Sequence, residues 1–199
     1  MPSTIVTSCG GIILCGGESR RMGQPKAWLP VEGEPMLTRL VHRLNGLVAS
    51  VVVVAAPGQS LPDTPSAIVV CDTVSGRGPL EGLAVGLNAL QAQVPWAWVI
   101  ATDMPHLCGE ILQRLWLFTE QAQIVLPVVA GYRQPWAALY QTALAPQVRA
   151  LLEAGETRPR VLLERCQVRE CRIGEGEELS AWQNINTPKD YKKIKSNNS

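Results

Sequence analysis

The chain has 199 residues, of which 18 are Lys or Arg and 17 are Asp or Glu, so its formal net charge is +1. This near-neutral balance excludes the strongly basic surface of a dedicated nucleic-acid-binding protein, and we expect no nucleic-acid partner. Hydrophobic residues make up 46% and charged residues 18% of the chain, which excludes an intrinsically disordered protein and predicts a folded core.

Short apolar runs alternate with helical patterns along the first two thirds of the chain. The predicted strands are residues 8–14, 51–56, 67–71, 96–102 and 124–129. The predicted helices are residues 35–48, 79–94 and 110–121. The β-branched runs at 51–56 and 67–71 are typical of strands buried on both faces. This alternation predicts an α/β fold, with a doubly wound, mostly parallel sheet and helices on both faces.

The C-terminal third is less regular. Residues 136–140 have the pattern of another strand, one that returns antiparallel, and residues 144–154 and 160–165 have helical patterns. Thr187 is a suitable N-cap for a final helix that has Pro188 in its first position. Because the sequence shows neither a repeat nor a linker, we expect one domain over residues 1–195 and a disordered tail over 196–199.

The six cysteines form no Cys-x-x-Cys pair, and most of them lie in or beside apolar runs. This pattern favours reduced thiols over a zinc site or a disulfide framework. The longest apolar stretches, residues 47–56 and 94–101, are shorter than the ~18–20 residues that a membrane helix needs. Residues 1–17 lack the basic start of a signal peptide. We therefore expect a cytoplasmic protein with no membrane partner.

A glycine-rich segment follows the first predicted strand. Gly16 and Gly17 allow backbone N–H groups to approach a ligand closely, and successive N–H groups in such a turn form a concave site for phosphate oxygens. Arg20, Arg21 and Lys26 add positive charge nearby. The spacing matches neither a Walker loop nor the dinucleotide-binding fingerprint. Taken alone, these residues are also compatible with an ordinary turn that carries a solvated basic face.

From Leu14 to Lys26 the segment follows the pattern Leu-x-Gly-Gly-x-Ser-x-Arg-Met-Gly-x-x-Lys. It resembles the signature loop of the molybdenum cofactor guanylyltransferases and their relatives among the nucleotidyltransferases. The resemblance continues along nearly the whole chain: Gly-Pro-Leu-Glu-Gly at 78–82, Asp-Met-Pro at 103–105, Arg-Gln-Pro at 133–135 with Ala-Leu-Tyr at 138–140, and Asn-Ile-Asn-Thr-Pro at 184–188. It implies the Rossmann-like fold of those enzymes.

Members of this family transfer GMP from GTP to the terminal phosphate of molybdopterin and release pyrophosphate. The resemblance therefore implies GTP and the molybdopterin cofactor as substrates and Mg²⁺ as cofactor, with molybdoenzymes or other cofactor-biosynthesis proteins as candidate partners. A phosphate monoester has a second pKa of about 6 and is already an anion at neutral pH. Such an acceptor needs no Ser–His or Cys–His pair to activate it, and none is evident in the sequence.

The resemblance also implies roles for individual residues. Asp103, at the end of the predicted strand 96–102, would hold Mg²⁺, and Lys26 and Arg21 would complete the catalytic group. The implied nucleotide contacts are Leu14, Cys15, Gly16, Gly17, Lys26, Asp72 and Asp103, and the implied acceptor contacts are Arg133, Pro135, Asn184 and Asn186. Aspartates such as Asp72 and Asp103 also cap helices and form turns, which is the simpler interpretation of both.

Two positions depart from the family pattern. Cys15 stands where relatives usually carry Ala, and Val54 stands where they often carry an Asn that contacts the nucleotide, so one base or ribose contact is expected to be lost or replaced. The pair Gly16-Gly17 resembles the guanylyl branch, whereas the cytidylyl branch carries Ala-Gly, so GTP is the favoured nucleotide. The alternatives are a cytidylyltransferase, another small-molecule nucleotidyltransferase and a non-catalytic nucleotide-binding regulator.

Overall fold

The computed structural model describes residues 7–16, 24–72, 77–174 and 179–197. In these ranges the strands are β1 (Cys9–Leu14), β2 (Pro30–Val31), β3 (Glu34–Pro35), β4 (Val51–Ala55), β5 (Ala67–Cys71), β6 (Trp96–Ala101), β7 (Ile124–Val129), β8 (Tyr132–Arg133), β9 (Leu139–Gln141) and β10 (Val168–Ile173). The α-helices are α1 (Met36–Asn45), α2 (Pro79–Leu90), α3 (Gly109–Trp116), α4 (Ala145–Glu153), α5 (Pro159–Arg165) and α6 (Pro188–Asn197). No helix in this part of the chain has both the length and the apolar character that crossing a membrane requires.

The central sheet has the strand order β10-β7-β9-β6-β1-β4-β5, and β8 pairs with β7. β1 is parallel to both β4 and β6, β4 is parallel to β5, and β7 is parallel to β10. β9 and β8 run antiparallel to their neighbours, while β2 and β3 form a separate small hairpin. The predicted mostly parallel sheet is confirmed. Such a sheet needs crossover connections, which the helices supply.

Two hydrophobic cores lie on opposite faces of the sheet, because successive side chains of a strand point in opposite directions. Ile13 belongs to the core that contains Leu40 of α1 and Ile111 of α3. Its neighbour Ile12 belongs to the other core, together with Leu83 of α2 and Val148 of α4. Helices therefore cover both faces, as the doubly wound architecture requires.

The strand predicted at residues 67–71 is present as β5, but the prediction that it is buried on both faces is wrong. β5 lies at the end of the sheet, next to β4. Its Ile68 and Val69 are 44% and 47% exposed. β-Branched composition indicates a strand, but it does not fix whether that strand is central or at the edge, since β-propensity depends on the tertiary context.

The C-terminal third departs most from the sequence pattern. The predicted antiparallel strand at residues 136–140 begins instead as a 3₁₀ turn at Pro135–Ala137 and becomes a strand only in β9, which is antiparallel as expected. β10 was not predicted. Its sequence, Val-Arg-Glu-Cys-Arg-Ile, carries three charged residues in six and gives a weak hydrophobic signal.

Thr187 caps α6 as predicted. Asp190 Oδ2 accepts hydrogen bonds from both the backbone N and the Oγ1 of Thr187 at 2.8 Å, and Asp190 N donates back to Thr187 Oγ1 at 3.3 Å. This reciprocal arrangement is a capping box with Asp in the acidic position. It fixes the start of α6 and the path of residues 184–186 that lead into it. The helix ends at Asn197, two residues inside the segment for which a disordered tail is expected.

The packing of α2 on β1 depends on Gly86. A Cβ atom there would lie 2.6 Å from Cγ2 of the fully buried Ile12. We expect Gly86→Ala to lower the free energy of unfolding by about 1 kcal/mol, because overpacking a core position costs about 1–3 kcal/mol and exceeds the ~1 kcal/mol gain in helix propensity. Urea denaturation measures the change.

Gly46→Ala is the matched control, because the nearest atom to a Cβ at Gly46 is 3.8 Å away. We expect this variant to be at least as stable as the wild type. Equal unfolding midpoints for Gly86→Ala and the wild type would contradict the close packing of α2 on β1.

Candidate active site

Four parallel strands, β5, β4, β1 and β6, end at the same edge of the sheet. In their register Leu14, the last residue of β1, is level with Val54 of β4 and Ala101 of β6. Ligands of open α/β sheets bind at the edge where the carboxyl ends of the strands meet. The segments that leave this edge carry the predicted site residues Gly16, Asp72 and Asp103.

Hydrogen bonds to neighbouring strands hold the exit of β1 in place. The backbone N and the Oγ1 of Thr102 both donate to the Leu14 carbonyl oxygen, at 3.1 and 2.9 Å, and Cys15 N donates to Val54 O at 2.8 Å. The side chains of Leu14 and Cys15 are buried, so these two residues do not present side chains to a ligand. Burial also raises the pKa of the Cys15 thiol, which stays protonated at neutral pH and is not a nucleophile.

The carboxylate of Asp72 lies between two glycines. A Cβ atom on Gly16 would lie 3.2 Å from Asp72 Oδ2, and a Cβ atom on Gly82 would lie 3.5 Å from Asp72 Oδ1. Larger residues at either position would crowd the carboxylate. The structure therefore brings together residues from three segments that the sequence singled out: the turn after β1, the end of β5 and the first turns of α2.

The surroundings of Asp72 disfavour the charged form of its carboxyl group. Its Oδ1 atom is buried and, within the residues that the structure describes, accepts no hydrogen bond. Burial raises the pKa of Asp72, and the negative charge of nearby Glu81 raises it further. Glu81 itself is fully buried and is bound by Arg149 at 2.8 Å, with Arg77 at 4.0 Å. A buried carboxylate oxygen without a donor is costly in the free protein and suits a ligand that brings N–H or O–H groups.

This cost predicts that Asp72→Asn stabilises the ligand-free protein. Because the pKa of Asp72 is raised on folding, its charged form opposes folding above the unfolded-state pKa. The variant should therefore unfold at a higher urea concentration than the wild type at pH 7. Below about pH 3, where Asp72 is mostly protonated in both the folded and the unfolded states, the difference should disappear. A lower midpoint for the variant at pH 7 would contradict this assignment.

Lys26, Asp103 and Asn186 meet in space although they are far apart in the chain. Lys26 Nζ donates to Asp103 Oδ2 at 2.9 Å and to Asn186 Oδ1 at 2.8 Å. Lys26 opens a short 3₁₀ turn, Asp103 follows β6, and Asn186 precedes the capped start of α6. A backbone bond from Ile185 N to Asp103 O, 2.9 Å long, ties the last two segments together. The side chains of Lys26 and Asp103 are 20% and 19% exposed, so a ligand can reach them.

The carboxylate oxygens beside Lys26 are suitable ligands for a hard cation that also binds a substrate. Asp103 offers a carboxylate, while the amide oxygen of Asn186 binds the ammonium group of Lys26. Within the described ranges, no three His, Cys, Asp or Glu side chains converge on one point. Mg²⁺ commonly takes one or two carboxylates and completes its shell with phosphate oxygens and water. The residues present therefore fit Mg²⁺.

The remaining predicted residues are less closely gathered. Arg133 forms an ion pair with Glu170 of β10 at 2.7 Å, and the carbonyl oxygen of Pro135 accepts a 2.8 Å hydrogen bond from Tyr140 Oη. Asn184 is exposed on the segment that precedes Asn186. Gly17 and Arg21 lie outside the residues that the structure describes.

Gln59 lies at the edge of the candidate site and was not predicted from the sequence. Its side-chain amide contacts the backbone of Cys15 and of Ala56, where the chain leaves β1 and β4. It lies in a turn with neither hydrophobic periodicity nor a motif around it, so the sequence offers no signal for it.

The sequence matches a known family over most of its length. The sequence model of the MobA-like NTP transferase domain matches residues 11–170. A protein from Mycobacterium bovis (strain BCG / Pasteur 1173P2), named probable molybdenum cofactor guanylyltransferase, is 42% identical over 161 residues, which cover 77% of this chain and 78% of the relative.

Solved structures show the same fold. The molybdopterin-guanine dinucleotide biosynthesis protein A of Archaeoglobus fulgidus has a TM-score of 0.76 at 24% identity, covering 94% of this chain and 97% of that one. Rv0371c of Mycobacterium tuberculosis H37Rv, crystallised in complex with manganese, has a TM-score of 0.69 at 16% identity and covers 94% and 98%. The match of the domain model to residues 11–170 and the 42% identical relative establish more than the fold. The chain belongs to the MobA-like NTP transferase family of nucleotidyltransferases.

Proposed function

We propose that this chain is a molybdenum cofactor guanylyltransferase, which transfers GMP from GTP to the terminal phosphate of the molybdopterin cofactor. The observation that carries the proposal is the contact of Lys26 with Asp103 and Asn186 at the carboxyl edge of the sheet. This contact joins the glycine-rich segment to two distant segments. The name of the 42% identical relative supports the same activity.

The reaction exchanges one phosphoanhydride bond for another. An oxygen of the acceptor phosphate attacks the α-phosphorus of GTP, a new P–O–P bond forms, and the bond to the β-phosphate breaks to release pyrophosphate. Because the acceptor is already an anion near neutral pH, no side chain has to remove a proton from it. The protein has to hold two repelling anions in line, which requires positioning and positive charge.

Lys26 and Asp103 each contribute to this positioning and neutralisation of charge. Lys26 supplies a compact positive charge for phosphate oxygens, and its bond to Asn186 Oδ1 orients the ammonium group. Asp103 is the residue that would hold Mg²⁺. When bound, the ion would neutralise charge on the triphosphate and on the departing pyrophosphate. Arg21 and the N–H groups of Gly16 and Gly17 would contact the same phosphates.

Asp72 is suited to recognise guanine. A carboxylate can accept two hydrogen bonds side by side, and guanine presents two adjacent donors, N1–H and the N2 amino group. Among the described residues no donor reaches the Oδ1 atom of Asp72, and because this atom is buried, a base has to displace neighbouring atoms to bind it. Cytosine lacks this pair of donors, so the arrangement favours GTP over CTP.

The acceptor side is assigned to Asn184, Asn186, Arg133 and Pro135. Arg133 is exposed and paired with Glu170 on the surface, an interaction worth about 1 kcal/mol or less. A phosphate of molybdopterin can therefore replace the carboxylate as the partner of Arg133. Molybdoenzymes would consume the product of this reaction.

Pyrophosphate release by the purified chain tests the proposal. The assay supplies GTP, CTP, ATP or UTP with Mg²⁺, each with and without molybdopterin. We expect release only when GTP and molybdopterin are both present.

The other outcomes distinguish the alternatives. Faster release with CTP would identify a cytidylyltransferase, and release with another phosphorylated acceptor in place of molybdopterin would identify a different small-molecule nucleotidyltransferase. Tight GTP binding without any turnover would identify a non-catalytic regulator. Each of these results contradicts the guanylyltransferase assignment.

A further inference from the structure

A short turn after β4, residues 56–60, contacts both flanks of the glycine-rich segment. Gln59 N donates to Ala56 O at 3.1 Å and closes the turn. The Gln59 side chain then uses both ends of its amide: Nε2 donates to Cys15 O at 3.0 Å, and Oε1 accepts from Ala56 N at 2.9 Å. Only this orientation of the amide satisfies both contacts, because a carbonyl oxygen cannot donate and a backbone N–H cannot accept.

Among the described residues, Gln59 holds the backbone group that directly precedes Gly16. The Leu14 carbonyl is held by Thr102, and the Cys15 N–H is held by Val54. The next polar group of the backbone, the carbonyl of Cys15, accepts a hydrogen bond from Gln59. Strand pairing therefore fixes the backbone up to the nitrogen of Cys15, and a side chain fixes the next peptide.

That next peptide carries the N–H of Gly16. In a planar trans peptide the C=O of one residue and the N–H of the next point in opposite directions. A bond from Gln59 to the Cys15 oxygen therefore sets the direction of the Gly16 N–H. Glycine has no side chain to restrict its own conformation, so this external bond matters more than it would at another residue.

The same turn also holds the far flank of the segment. Trp28 Nε1 donates to Ser60 O at 3.1 Å. Trp28 closes the 3₁₀ turn that Lys26 opens, with Leu29 N donating to Lys26 O at 3.1 Å. Residues 56–60 thus link Cys15, which lies before the glycines, to the turn that carries Lys26.

We infer that Gln59 is a positioning residue for nucleoside triphosphate binding: it orients the Cys15–Gly16 peptide so that the Gly16 N–H points at the nucleotide. The inference rests on the proposed function for the nature of the ligand. It concerns affinity for the triphosphate, whereas the choice of base and acceptor belongs to the proposed function.

Two substitutions separate this role from simple packing. Gln59→Glu keeps the shape of the side chain and an oxygen for Ala56 N, but replaces the donor to Cys15 O with a second acceptor that repels it. Gln59→Met keeps the bulk and removes both polar contacts. Gln93→Glu is the matched control, because Gln93 Nε2 also donates to a carbonyl, that of Ala89 at 3.0 Å, on an exposed surface near the end of α2.

The measurement is the Kd for GTP by calorimetry, together with kcat, the KM for molybdopterin and the urea midpoint of each variant. We expect Gln59→Glu and Gln59→Met to weaken GTP binding about tenfold, which corresponds to about 1.4 kcal/mol. The KM for molybdopterin should change less than twofold, and Gln93→Glu should match the wild type. Expected urea midpoints stay close to that of the wild type for all three variants.

Three results would overturn the inference. One is an unchanged Kd for GTP in both Gln59 variants, and another is a lower urea midpoint without a loss of affinity, which would indicate a structural role. The third is an equal loss in the KM for molybdopterin. If the wild type binds CTP but not GTP, the proposed function fails. The role of Gln59 is then decided by comparing the Kd for CTP of the two Gln59 variants with that of the wild type. If the wild type binds no triphosphate, both fail.

Discussion

Replacing Asp103 with Asn should lower kcat for pyrophosphate release by about 10²- to 10³-fold and leave the fold intact. In the proposed function Asp103 supplies the carboxylate that binds Mg²⁺, and an amide oxygen is a poorer ligand because it carries no charge. The backbone bond between Ile185 N and Asp103 O does not involve the carboxylate, so the variant retains it. Steady-state kinetics at saturating GTP and molybdopterin measures the loss.

Asp63→Asn is the matched control, since Asp63 is an exposed acidic residue on the loop before β5. It should retain wild-type activity. A titration with Mn²⁺ in the presence of GTP, followed by electron paramagnetic resonance, adds a readout that does not depend on turnover, and Asp103→Asn should weaken the binding of the ion. Wild-type kcat in the Asp103 variant would exclude the metal-binding role.

Replacing Lys26 with Met should lower kcat/KM for GTP by about 10²- to 10³-fold, because a positive charge is lost where the triphosphate develops negative charge. Lys26→Arg should restore little of this activity. The compact ammonium group contacts Asp103 Oδ2 and Asn186 Oδ1 at 2.9 and 2.8 Å, whereas a guanidinium is larger and planar and presents its donors in a fixed fork, so we expect Arg to place its charge differently. Kinetics with varied GTP measures both variants.

Lys189→Met serves as the control, since Lys189 is exposed in the first turn of α6. The double variant Lys26→Met/Asp103→Asn adds a sharper test. Residues that act as one unit show effects that do not add, so the double variant should be little worse than the more damaged single variant. Fully additive losses would indicate that the two residues act independently.

The sequence predicted that Asp72 and Asp103 lie at the same edge of the sheet because both residues follow strands. Asp103 comes two residues after the end of β6, and Asp72 comes directly after β5. Parallel strands bring their carboxyl ends together, so residues after the strands become neighbours whatever their separation in the chain. The contact of Asn186 with Lys26 has a different origin, because it depends on the path of the segment before α6. For Asn186 the family resemblance carried the prediction.

The features that the sequence did not predict depend on tertiary context. The exposed position of β5 results from strand order, which hydrophobic composition does not encode. β10 pairs with β7 at the opposite end of the sheet, where its charged residues remain accessible to solvent. The side chain of Gln59 bonds to the backbone of Cys15, 44 residues away in the sequence, and of Ala56, three residues away. No local sequence pattern indicates either contact.

A crystal structure with Mg²⁺ and a GTP analogue that cannot release pyrophosphate tests the positions of the nucleotide and the ion most directly. We predict that the phosphates lie against the Gly16 backbone, that Lys26 contacts a phosphate oxygen, and that the ion binds Asp103. The guanine ring should lie within hydrogen-bond distance of Asp72. A nucleotide bound away from both Gly16 and Asp103 would contradict the assignment of GMP transfer to this edge of the sheet.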